Sequence, residues 1–109
     1  MHAHAQTVTP PLMPQAEQLH PDVFQISWNA PIGTGQFDSS VVYELSCQSL
    51  ITEIASPPPI TTAPGQILVT VGNLSYGVTY NCSIQAHLQQ IVSLPAYICI
   101  TTMDIGVLC

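Results

Sequence analysis

Hydrophobic and polar residues alternate along much of this chain with the two-residue period of a half-buried β-strand. Phe24, Ile26 and Trp28 are separated by Gln25 and Ser27. Across Val41 to Gln48, Tyr43, Leu45 and Cys47 alternate with Glu44 and Ser46. Ile67, Val69 and Val71 form a further inward set, as do Tyr80, Cys82, Ile84 and Ala86 within Thr79 to Leu88. Ile98 and Ile100 close the series in a last strand from Tyr97 to Thr102, and Leu50 to Ile54 reads as a short edge strand. Breakers separate these runs: Pro31, Gly33 and Gly35, then Pro57-Pro58-Pro59, then Pro64-Gly65. The rhythm predicts an antiparallel sandwich in which each sheet keeps one wet face. No period supports a helical repeat, a coiled coil or a strand–helix–strand unit.

The first stretch differs. Residues 1–22 carry Pro10, Pro11, Pro14 and Pro21 and read as a Pro-rich leader, with at best one irregular edge strand around Met13–Leu19. The sandwich is expected over 23–104, followed by a tail at 105–109. A chain of 109 residues holds one domain and one core. The start lacks the basic and apolar regions of a secretory signal, so the chain reads as a fragment whose signal and anchor lie elsewhere.

Charge narrows the function classes. Only 6% of residues are charged, against roughly 25% in an average soluble protein. There is no Lys or Arg, and the net charge is −6. Nucleic acid and heparin need cationic side chains to displace counterions, so neither is an expected partner. A polybasic patch for an anionic membrane surface is missing too. The acids are scattered singly, and no run of apolar residues is long enough to span a bilayer.

Two segments then resemble a known family. Trp28 ends a strand in Ile26-Ser27-Trp28-Asn29-Ala30-Pro31, and Leu74, Gly77 and Tyr80 in Asn73–Tyr80 fit an L-x-x-G-x-x-Y element. Both are similar to the signature of fibronectin type III domains, and the resemblance covers about residues 23–104. It implies an all-β, immunoglobulin-like, seven-stranded antiparallel β-sandwich. In such a fold Leu74 plugs the core, Gly77 makes the turn between sheets, and the Tyr80 hydroxyl bonds back to nearby backbone. A true immunoglobulin pattern would need Cys where Ile26 stands.

Four cysteines in so short a sandwich point to an oxidising compartment. Cys47 and Cys82 both fall on inward phases. The resemblance implies that their strands are antiparallel neighbours, which makes them candidates for a cross-strand disulfide. The alternative is two buried thiols packed as small hydrophobes. Cys99 falls on an outward phase and Cys109 is terminal, and their pairing stays open.

The remaining candidates are fewer. Asn73-Leu74-Ser75 and Asn81-Cys82-Ser83 are acceptor sequences for N-linked glycans, so Asn73 and Asn81 are candidate glycosylation sites. Leu88, Ile91, Val92 and Leu94 make the hairpin before the last strand unusually apolar; they are candidate partner contacts, unless they simply continue the core. His2 and His4 form an H-x-H without a third ligand, so no metal is expected. No nucleophile–base motif or phosphate loop is present, so neither an enzyme nor a cofactor is expected. The chain reads as an extracellular or cell-surface interaction module, one repeat beside neighbouring domains, with its protein partner unidentified. The alternatives are a passive spacer, with its leader as a stiff linker, or an accessory domain of a secreted enzyme.

Overall fold

The structure, a computed structural model, describes residues 8–102 and the backbone of 107–108. Strands β1 (Leu12–His20), β2 (Val23–Asn29) and β5 (Leu68–Val71) form one sheet in the order β1-β2-β5. Strands β3 (Val42–Ser49), β4 (Ile60–Thr61), β6 (Thr79–Leu88), β8 (Ala96–Thr101) and β9 (Val107–Leu108) form the other, in the order β4-β3-β6-β8-β9. The two-residue strand β7 (Ile91–Val92) hairpins onto the end of β6. All pairings are antiparallel. The seven expected strands are joined by these short β7 and β9 segments.

The alternation explains the core. Phe24, Ile26 and Trp28 of β2, with Val69 and Val71 of β5, face Tyr43, Leu45 and Cys47 of β3. Tyr80, Cys82, Ile84 and Ala86 of β6 and Ile100 of β8 complete the buried layer. The Trp28 and Tyr43 rings meet edge to face, with centroids 5.2 Å apart. That geometry sets a positive ring edge against a negative face and adds to the burial of two large rings.

The turn after β5 closes one end of the core. Leu74 is buried, and Gly77 takes a φ of +73°, which a side chain would oppose. The Tyr80 hydroxyl accepts the backbone N–H of Ser75 at 2.8 Å. The buried Thr102 hydroxyl accepts the N–H of Val78 at 3.1 Å and donates to the Ser75 carbonyl. Two side chains thus satisfy turn groups that no strand partner reaches.

Several expectations are corrected. The irregular edge strand expected around Met13–Leu19 is present as β1, nine residues long and paired along β2, so this part of the leader belongs to the sandwich. Its inward-facing positions are Leu12, Pro14, Ala16 and Gln18, too mixed to show an apolar period, and its register shifts near Met13, which has a φ of +50°. Pro14 is tolerated because β1 is an edge strand. Leu50–Ile54 does not form a strand. The Ser49 hydroxyl accepts the N–H of Ile51, and Ile54 donates to the Ile51 carbonyl, so local turns capture the groups an edge strand would offer. The short edge strand is Ile60–Thr61 instead. Ile67 is 41% exposed rather than inward. Val107–Leu108, expected as tail, pairs with β8.

Replacing Tyr80 with Phe keeps the ring and removes one acceptor. Chemical denaturation is expected to show a loss of about 1 kcal/mol, because the Ser75 N–H loses its partner. Trp28→Ala is expected to cost about 3–5 kcal/mol by opening a core cavity.

Candidate functional site

Cys47 and Cys82 are direct cross-strand partners on β3 and β6, with Cα atoms 3.9 Å apart, and they form a disulfide. Both are buried. The bond lies within one sheet, unlike the bridge between sheets of antibody domains. It closes a loop with a sequence separation of 35, worth about 4 kcal/mol in the chain-entropy treatment. Cys99 is also disulfide-bonded. It stands opposite Asn81 across the β6–β8 pair. Cys109, His2 and His4 lie outside the described residues.

The register brings several loops to one pole of the sandwich. Val42, which opens β3, faces His87 near the end of β6, and Asn29, which ends β2, faces Leu12. The link between β4 and β5 arrives there as well, through the Gly65 N–H donating to the Val41 carbonyl at 2.8 Å. Gly65 has a φ of +79°, and a Cβ there would press on the Ser39 backbone at 3.1 Å. Between β2 and β3 a single 3-10 segment, Gly35–Ser40, is held by Thr34, whose buried hydroxyl donates to the Asp38 carboxylate.

This pole is apolar where loops are ordinarily polar. Of the four hairpin residues proposed as contacts, Leu88 and Ile91 are half-buried against the core. Val92 and Leu94 project, at 51% and 76% exposure. Ile32 (67%) and Phe37 (47%) from the β2–β3 loop also project. Phe37, Leu88, Gln89 and Ile91 line a shallow groove of about 190 Å³. Sequence reasoning missed Ile32 and Phe37 as surface residues. The available signal was that each is a lone apolar residue in a loop, which no strand alternation claims. The hairpin turn itself is strained. Gln89 takes a φ of +57° in the two-residue connection between the paired Leu88 and Ile91, a conformation that favours Gly or Asn.

Beneath the same loops, Tyr43 is buried, and neither its hydroxyl nor Trp28 Nε1 has a hydrogen-bond partner among the described residues. Burial raises the Tyr43 pKa above the ordinary value of 10.0; the nearby Asp38 carboxylate raises it further, and the Trp28 indole offsets part of this. On the outer face, Glu44 and His87 approach to 3.8 Å, a half-exposed pair of little energetic weight. Asn73 and Asn81 are both exposed. Asn73 sits at the opposite pole with a φ of +58°, and Asn81 lies on the outer face of β6 opposite Gln48.

With this geometry in view, the molecule has the fold of fibronectin type III domains. It superposes on domains d3–d4 of the rat CD45 extracellular region with a TM-score of 0.72 and 13% identity, over 87% of this chain. The chain spans about half of that two-domain fragment, 49% of its length. The FN5 domain of Drosophila Lar gives a TM-score of 0.66 and 15% identity, covering 90% of this chain and 99% of that one. A myokine structure gives 0.70 and 14%, covering 88% and 98%. No protein-family model and no curated protein sequence matches the chain.

Two expectations follow. Tyr43 stays neutral in the fold above the pH at which it ionises when unfolded, so stability falls as pH rises through the ordinary tyrosine range and beyond it. Tyr43→Phe is expected to flatten that alkaline loss in denaturation curves taken between pH 8 and about 11. Gln89→Gly is expected to stabilise the hairpin by up to about 1 kcal/mol, read as a rise in melting temperature.

Proposed function

We propose that the chain is an extracellular protein-interaction module, one repeat of a larger receptor or matrix protein, which binds through the pole carrying Ile32, Phe37, Val92 and Leu94. The observation that carries this reading is the gathering of projecting apolar side chains on two loops held by a rigid, disulfide-bonded sheet. Exposed apolar side chains grouped at one end of a small domain mark contact surfaces more often than solvent faces. A secreted glycoprotein suits the oxidised cysteines, and the extracellular origin printed for the CD45 fragment is in keeping with it.

The chemistry sets the mode of binding. With no Lys or Arg in the sequence, the pole offers shape and apolar area without basic steering, and the net charge of −6 turns away acidic partners. Binding of the labelled, secreted domain to intact cells tests the surface directly. Val92→Asp with Leu94→Asp is expected to reduce binding at least tenfold while the melting temperature shifts by only a few degrees. Equal binding by the variant would remove the pole as the site, and saturable binding by neither protein would favour the spacer reading.

A further inference from the structure

We infer that Asn73 carries an N-linked glycan whose first sugars lie in the groove beside it. The inference rests on the secreted reading above. Asn73 lines a groove of about 380 Å³ together with Ala55, Pro57, Pro58, Ile60 and Val71. The groove walls hold no ionised group; their exposed apolar parts are the rings of Pro57 and Pro58 and the half-buried Ile60, which suit the C–H faces of a pyranose ring, while the Val71 side chain is buried in the core. The polar rim, with the Ser56 hydroxyl and local backbone, suits its hydroxyl and acetamido groups. The occupant is named by the sequence itself, since the acceptor Asn73-Leu74-Ser75 places the attachment atom on the groove.

Local geometry separates this acceptor from the other one. The Asn73 side-chain amide makes no hydrogen bond among the described residues, and neither does the Ser75 hydroxyl; Ser75 is held through its backbone N–H and carbonyl. Asn73 is exposed in a turn with a φ of +58°. Asn81 is exposed too, but the middle residue of its acceptor is Cys82, bonded to Cys47 in the central strand pair. Closing that bond fixes the second acceptor in the sheet. Occupancy therefore concentrates at Asn73.

The test uses the whole chain, secreted from a eukaryotic cell behind an added signal peptide, so that natural localisation does not enter. Ser75→Ala removes the first acceptor without disturbing the Asn73 turn, and Ser83→Ala removes the second. Intact mass is expected to show a glycan on the wild type and on S83A and none at Asn73 of S75A. The glycosylated protein is expected to melt a few degrees above S75A. Trimming the glycan to its first N-acetylglucosamine is expected to keep most of that gap. Pro57→Ser with Pro58→Ser, compared with and without S75A, is expected to close it. A cooperatively melting wild type with Asn73 unoccupied would overturn the proposal and leave the extracellular reading standing. So would an occupied Asn73 whose melting gap is absent or survives the loss of both prolines. Recovery of the untagged natural chain only from the reducing interior of its own cells would instead overturn the extracellular reading.

Discussion

The antiparallel pairing of β3 with β6 governs where everything else in this molecule can sit. Its register runs from Val42 opposite His87 to Ser49 opposite Tyr80 without interruption. Because side chains alternate with a period of two, a slip of β3 by one residue along β6 would turn Tyr43, Leu45 and Cys47 to solvent. It would also carry Cys47 away from Cys82. The disulfide therefore fixes at one covalent point the register that the buried side chains specify by packing. From that pair outward, β2 and β5 supply the facing layer, and Trp28 meets Tyr43 across it.

The same register sorts the loops. One pole receives the β2–β3 loop, the β4–β5 link and the β6–β7 hairpin; the other receives the Tyr80 corner and the Pro-rich crossing after β3. The first pole carries projecting aliphatic and aromatic side chains and a strained glutamine turn. The second carries a neutral groove and an acceptor asparagine. Neither requires a basic side chain, and the sequence has no Lys or Arg.

How much of this was legible in the sequence depended on whether a residue's role was periodic. Phe24, Ile26 and Trp28 announced β2 because burial on one face writes itself as alternation. Leu74, Gly77 and Tyr80 announced the corner because a turn, a plug and a hydroxyl acceptor need fixed spacing. Strand β1 was legible only as an irregular edge strand, because Pro14 and Gln18 occupy inward-facing positions and a bulge shifts its phase. Leu50–Ile54 misled because apolar composition suggested an edge strand, whereas the Ser49 hydroxyl captured the local backbone first. At the candidate surface, Val92 and Leu94 stood out by hydrophobicity alone. Which hairpin residues project and which pack, like Leu88 and Ile91, is decided by tertiary contacts that no local pattern contains. The groove at Asn73 was invisible for the same reason, since only the tertiary fold sets residues 55–60 against residues 71–73.

Peptide mapping under non-reducing conditions tests the central pairing most directly, with chymotrypsin as the protease because the chain offers trypsin no site. The prediction is a peptide pair linked through Cys47 and Cys82, which requires β3 and β6 to be neighbours in the register described. A bond from Cys47 to Cys99 or Cys109 would contradict that register and the sandwich built on it.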